Sequence, residues 1–240
     1  MTALPQGADK ARFVQSMFDS IAPRYDLLNR VMTFRMDVGW RRRAVRSLGI
    51  GPGAVVLDLA SGTGDLCTEL GKSGYRAVGL DLSLGMLTHA RAGAPLVQGD
   101  AGRLPFGDGA FDGVVSGFGL RNFVSLGLVF DELARVVRPG GKIALLEVAA
   151  PANPVLRAGH GLYFDHVVPR IGALLSDGEA YRYLPRSVAY LPPAPVLLAR
   201  LEAAGFGAVG HRFLSGGITQ LIVATRRVEM AAERAAAGPA

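Results

Sequence analysis

The chain has 240 residues, a formal net charge of +6, half of its residues hydrophobic and 19% charged, which supports a sizeable core and argues against disorder as the main state. Its lone cysteine, Cys67, excludes an internal disulfide and agrees with a reducing cytoplasm, while His89, His160, His166 and His211 are scattered without partners at zinc spacing. The first residues lack the apolar stretch of a secretory signal, and no run approaches the ~20 apolar residues that would span a bilayer.

Residues 9–49 show no strand alternation but carry helix-spaced apolar side chains, Phe13, Met17 and Ile21 on one face, then Leu27, Leu28 and Val31. Pro23 interrupts the pattern, which predicts two or more short helices. The breaker cluster GIGPGA (49–54) closes this region. Strands and helices then alternate: strand 54–60, helix 64–74 ended by glycine, strand 76–82, helix 83–92 capped by Ser83. Strands at 95–100 and 111–117 follow, then a Leu- and Val-rich helix over 126–137 stopped by RPGG, and a strand at 142–148.

That cadence means right-handed βαβ units and a mainly parallel sheet. Near the end, PVLLARLEAAG reads as a helix, and AVGHRFL and GITQLIVAT are joined by the short SGG link into a hairpin. The expected fold is α/β and Rossmann-like: seven strands, mainly parallel, with an antiparallel edge hairpin and helices on both faces. Residues 150–193 are irregular and hold four tyrosines; so long an insertion with aromatic content reads as a cap. After Arg227 the chain is an Ala-rich tail prone to fraying.

Ligands of open parallel sheets lie beyond the carboxyl ends of the strands. Four signals fall there. The first is DLASGTGD (58–65), in which Gly62 and Gly64 let the backbone approach a ligand and the next helix aims free N–H groups at negative charge. Cys67 stands where a dinucleotide fingerprint wants a third small residue, so the loop alone leaves a nicotinamide or an adenosyl sulfonium ligand open. Asp81, at the second strand end, is placed to accept from ribose hydroxyls, and Asp100, at the third, from an adenine amine. The fourth is SGFGLRNF (116–123), where Arg121 and Asn122 follow a buried strand.

The strings VLDLASGTGDL, GLDLS, GDAGRLPF, FDGVVSGFGLRNF and LARVVRPGGKIALLEV resemble the class I S-adenosylmethionine methyltransferases. With FDSIAPRYDLLNRVMTFRMDVGWRR, YRYLPRSV and SGGI, they resemble more narrowly the menaquinone/ubiquinone biosynthesis C-methyltransferase family, over residues 13–225. The resemblance implies one methyltransferase domain: a helical cap (1–49), a cofactor-binding core (50–148), a substrate cap (149–193), a C-terminal helix and hairpin (194–227) and a tail (228–240). It implies S-adenosylmethionine at Asp58, Gly62, Thr63, Gly64, Asp81, Asp100, Ala101 and Gly117. The family commonly has serine where this chain has Gly117, and Ser116, one position earlier, points to the opposite strand face.

The acceptor implied is a polyprenyl quinol, demethylmenaquinol ahead of a benzoquinol, methylated on ring carbon. Arg121 would stabilise the phenolate, since a permanently charged guanidinium is a poor base, and Asn122 would orient a ring oxygen or a water. Tyr25 and Asp26 are candidates for the other ring oxygen and a proton path. A methyltransferase acting on another small molecule is the alternative. A nicotinamide oxidoreductase lacks a Tyr-x-x-x-Lys pair in a chain with three lysines, and an RNA-binding module lacks aromatic–basic interleaving. A lipid tail on the acceptor and the basic run Arg41, Arg42, Arg43 and Arg46 imply a cytoplasmic enzyme, peripheral at the inner face of the membrane. Partners so implied are the quinol, the membrane surface and, as an option, a second copy of the chain, with no nucleic acid.

Overall fold

In the computed structural model the described residues are 5–163, Arg170, Tyr183 and 186–228. Residues 164–169, 171–182 and 184–185 of the expected substrate cap, and 229–240 of the tail, therefore lie outside the described residues. The apolar runs form strands β1 (Val55–Leu59), β2 (Arg76–Asp81), β3 (Leu96–Gln98) and β4 (Phe111–Gly117). β5 (Val137–Val148), β6 (Phe206–Leu214) and β7 (Thr219–Arg226) complete a seven-stranded sheet of order β3-β2-β1-β4-β5-β7-β6. The first five strands pair in parallel, and β7 runs antiparallel to both β5 and β6. From β1 the chain steps outward to β2 and β3, then returns to lay β4 on the other side. The order reverses between β1 and β4, and crevices form at such switch points.

Helices cover both faces, which is why β1 is apolar on both sides apart from Asp58 rather than alternating. On one face Leu57, Leu59, Leu80 and Ile143 pack with Phe130 and Leu133 of α6 (Leu126–Val136) and Leu197 of α8 (Ala194–Ala203). On the other, Val56 and Val115 pack with Trp40 and Val45 of α3 (Met36–Ser47) and Leu66 and Leu70 of α4 (Asp65–Lys72). A third cluster joins α1 (Gly7–Ile21) and α2 (Tyr25–Met32) to Met86 of the short α5 (Leu84–Thr88). Pro23 sits in the 3-10 turn Ala22–Arg24 that separates α1 from α2, and Ser83 caps α5 by accepting from the Met86 N–H at 3.0 Å.

Several expectations change. Leu28 is fully buried, but Leu27 and Val31 face outward, so the apolar face of α2 is narrower than its spacing suggests. β5 begins at Val137 and runs through Pro139 and both glycines, where a bulge shifts its register against β4 between Phe111 and Gly113. Residues 154–162, read as irregular, form α7 (Pro154–Leu162), whose first turn is capped by Asn153 Oδ1 accepting from Val155 and Leu156 N–H groups. Arg41 is buried against Asp37 and Asp65, and Arg42 pairs with Glu69 at 3.3 Å, so among the described residues only Arg43 and Arg46 of the basic run remain exposed outside such pairs.

Candidate active site

The glycine loop after β1 is shaped by backbone geometry. Ala60, Gly62 and Gly64 all take left-handed φ values, 58°, 54° and 85°. Gly64 is doubly required, because a Cβ there would lie 2.5 Å from the Ala92 Cβ. Asp81, at the end of β2, fastens this loop: Oδ2 accepts from the Gly62 N–H at 2.8 Å and Oδ1 from the Ser83 N–H at 2.9 Å. Burial raises its pKa, while those N–H bonds pull the other way. Asp100, after β3, is exposed and accepts from the Gly102 N–H at 2.8 Å.

Asp58 and Thr63 take other places than expected. Asp58 is fully buried beneath the loop and accepts from the Cys67 N–H at 3.0 Å; Oδ1 has no hydrogen-bond partner among the described residues. Burial pushes its pKa up to about 7. Thr63 is buried and donates its hydroxyl to Asp26 on α2. Asp58 thus ties the loop to the start of α4, and Thr63 ties it to α2. Ser116 is likewise buried, its Oγ without a hydrogen-bond partner among the described residues.

Two cavities open over the strand ends, of about 520 Å³ and 400 Å³. Gly62, Asp81, Asp100, Ala101, Gly117 and Asn122 line the larger, which α1 covers with Ala8, Ala11 and Val14. Asn29, Met36, Trp40, Arg121, Leu156 and Tyr163 are among the walls of the smaller. Phe18, Tyr25 and Phe118 line both. Phe118 holds a left-handed φ of 63° at the end of β4, a strained non-glycine conformation of the kind that clusters at functional sites. Tyr25, half-buried, has its pKa raised by burial; an Asn29 hydrogen bond and the charges of Arg41 and Arg121 act against that.

Arg121 sits in the 3-10 turn Leu120–Asn122 and is buried. Its Nε donates to Ser187 Oγ at 3.1 Å and its Nη1 to the Phe118 carbonyl at 2.9 Å and to Glu147 Oε1. Asn122 is turned to the larger cavity, where Oδ1 accepts from the Tyr183 hydroxyl at 3.1 Å. Arg121 and Asn122 line different cavities, because the turn sends successive side chains to opposite sides. Asp26 lines neither cavity, its carboxylate being committed to Thr63.

A profile of the ubiE/COQ5 methyltransferase family matches residues 6–226. The chain belongs to that family. It is 42% identical over 217 residues to the ubiquinone/menaquinone biosynthesis C-methyltransferase UbiE of Syntrophotalea carbinolica, covering 85% of this chain and 90% of that one. It is 44% identical over 212 residues to the demethylmenaquinone methyltransferase of Mycobacterium tuberculosis, covering 88% and 91%. Among solved structures, a SAM-dependent methyltransferase of Thermotoga maritima superposes with a TM-score of 0.63 at 18% identity, over 89% of this chain and 99% of that one. Phosphoethanolamine N-methyltransferase 2 of Haemonchus contortus, in complex with S-adenosyl-L-methionine, gives 0.59 at 14% identity, over 78% and 52%. These likenesses show the shared fold.

As a ubiE/COQ5 family methyltransferase, the chain uses S-adenosylmethionine, and the larger cavity suits it. Its volume lies within the ~300–1,000 Å³ of small-molecule sites. The Asp81 and Asp100 carboxylates line it together with Gly62 and Gly117, and at Gly62 the lack of a Cβ leaves the backbone open to a ligand. At Gly117 a Cβ would lie 3.0 Å from Leu66 Cδ1, so a serine there would press on that side chain.

The sequence reading missed Phe18, Phe118 and Glu147. Glu147 had a signal, an acid ending an otherwise apolar central strand, ALLEV. Phe18 and Phe118 had none beyond being aromatic.

Proposed function

We propose that this enzyme methylates a ring carbon of a polyprenyl naphthoquinol of the demethylmenaquinol type, with the cofactor in the larger cavity and the ring in the smaller. The observation that carries the reading is that the two cavities share Phe18, Tyr25 and Phe118 as walls, the larger lined by the Asp81 and Asp100 carboxylates and the smaller by Arg121 among largely apolar side chains. The names of the relatives support the naphthoquinol.

When bound, S-adenosylmethionine supplies an electrophilic methyl group. The chain's own residues do the rest. Phe18, Tyr25 and Phe118 frame the passage between the cavities and hold the ring at a fixed approach, which is chiefly a positioning task. Arg121, on the ring-side wall, stabilises the phenolate oxygen as charge develops. The Tyr25 hydroxyl, kept protonated by burial, donates to a ring oxygen. Asn122, with Tyr183, borders the cofactor side. Asp81 and Asp100 accept from the ribose and the adenine amine, and Gly62, Ala101 and Gly117 give the cofactor backbone contact.

The prenyl tail leaves through the mouth of the smaller cavity, and this mouth works at a membrane surface. Phe34, Val155 and Leu156 on its rim are exposed, as are Leu27 and Val31 on α2, just before Phe34, and Leu162 on α7. Residues 27–36 and 149–163 hold no acid, while Arg35 and Arg157 are exposed among them. No helix among the described residues is long and apolar enough to cross a membrane. This rim replaces the run beginning at Arg41 as the docking surface.

Labelled methyl transfer to a demethylnaphthoquinol and to the matching benzoquinol tests the reading. The naphthoquinol is expected to be preferred; methylation of neither, with the cofactor bound, would overturn it.

A further inference from the structure

Glu147 ends β5, between β4 and β7 in the sheet, and is fully buried. Both of its oxygens serve one residue. Oε2 accepts from the Arg121 backbone N–H at 3.2 Å, and Oε1 from Arg121 Nη1 as well as from the Val148 N–H at 2.8 Å. Arg121 and Val148 line the smaller cavity and Glu147 does not, so the carboxylate stands behind the guanidinium as seen from the ring. Nε is taken by Ser187, which leaves Nη2 outside these bonds. A buried ion pair of this kind seldom outweighs an apolar pair of equal volume in stability. Its effect is to fix a direction and a charge.

We infer that Glu147 is a positioning residue for the methyl transfer, aiming the Arg121 guanidinium at the ring and offsetting its charge. The inference rests on the smaller cavity being the ring site. A bare cation ~4–6 Å from a phenol lowers its pKa by about 1–3 units and makes the resulting anion a weaker carbon nucleophile. Paired with Glu147, Arg121 still donates to the oxygen but presents a smaller net field. The other charged or titratable groups lining this cavity are Tyr25, Tyr163, Arg41 and Asp37, and Tyr183 interacts electrostatically with Arg121 and Glu147.

The test uses 4-methoxy-1-naphthol, a redox-stable stand-in for the quinol, bound to the full chain with S-adenosylhomocysteine and titrated by naphtholate absorbance. Glu147→Gln keeps the shape and removes the charge. It should lower the ionisation midpoint of the bound naphthol by about one unit or more, with homocysteine-analogue affinity unchanged. Glu147→Asp keeps the charge but is too short to reach both ends of Arg121. It should leave the midpoint in place while kcat falls roughly tenfold to a hundredfold and KM for the quinol changes little. An unmoved midpoint in a folded Glu147→Gln protein overturns the inference, as does full turnover by Glu147→Asp. Should the wild-type chain bind the cofactor product but no naphthol, the assignment of the ring cavity fails and the inference with it.

Discussion

Thr63 in the glycine loop donates its hydroxyl to the Asp26 carboxylate on α2. The bond is one of several that clamp the N-terminal helices to the cofactor loop: Arg30 reaches Asp65 at 2.8 Å, and Arg30 and Arg41 both hold Asp37. Tyr25, beside Asp26, is carried against the loop by the same clamp, its ring 3.8 Å from where a Gly62 Cβ would lie. Thr63→Val keeps the volume and leaves Asp26 short of a donor, so it should cost about 1–3 kcal/mol in urea unfolding. A double-mutant cycle with Asp26→Asn should show coupling of about 0.5–3 kcal/mol. Simple additivity of the two changes would mean the bond contributes nothing.

Asp81→Ala should weaken S-adenosylhomocysteine binding roughly ten- to hundred-fold, about 1.5–3 kcal/mol. Two losses combine: the ribose acceptor, and the anchor of the Gly62 and Ser83 N–H groups. Calorimetric titration reads the affinity directly. Wild-type affinity in a folded variant would remove Asp81 from the cofactor site.

The two glycines give opposite forecasts. Gly64→Ala puts a Cβ 2.5 Å from Ala92 at φ 85° and should destabilise by about 1–3 kcal/mol, lowering the melting temperature. Gly117→Ala meets only the tip of Leu66, at 3.0 Å and without a positive φ, so its melting temperature should stay near that of wild type. Equal losses at the two positions would show that the loop, not the contact, sets tolerance.

Most of the sheet was legible because βαβ packing writes buried strands as mainly apolar runs, and β1, β2 and β4 lie within a residue or so of where AVVLDLA, RAVGLDL and FDGVVSG place them. β5 was misread at its start because Pro139, Gly140 and Gly141 are breakers in most contexts, yet a bulge accommodates them here. In the site, Asp81, Asp100 and Gly62 reach the cavity wall since strand ends are fixed by topology. What local sequence could not supply was partner choice. That Arg121 pairs with Glu147, 26 residues on, that Arg41 is drawn inward by Asp37 and Asp65, and that Asp58 faces Cys67 are all decided by packing between elements.

The exposed rim gives a prediction about membranes. Phe34→Asp with Val155→Asp removes two apolar side chains and adds negative charge beside Arg35 and Arg157. Flotation with anionic vesicles at low salt should fall at least about tenfold, from lost apolar burial and about 1 kcal/mol of repulsion for each charge. Arg43→Ala with Arg46→Ala, far along α3, should have the smaller effect. The reverse ranking would return the docking surface to the basic run.

Asp58 makes the stability of the ligand-free enzyme depend on pH in a defined direction. Its pKa is about 7 in the folded chain against ~3.9 when unfolded, because burial disfavours the carboxylate and the Cys67 N–H only partly compensates. The folded state therefore binds the proton more tightly. Its contribution is fully present below about pH 4, declines as pH rises towards 7 and is flat above, reaching a few kcal/mol in all. Asp58→Asn cannot ionise and keeps an oxygen for the Cys67 N–H, so it should lack this decline. Melting temperatures of the two proteins, compared across pH 4 to 8, should diverge in favour of the variant between about 4 and 7 and then run parallel. A constant difference over that range would mean that Asp58 titrates in the folded chain as it does in the unfolded one.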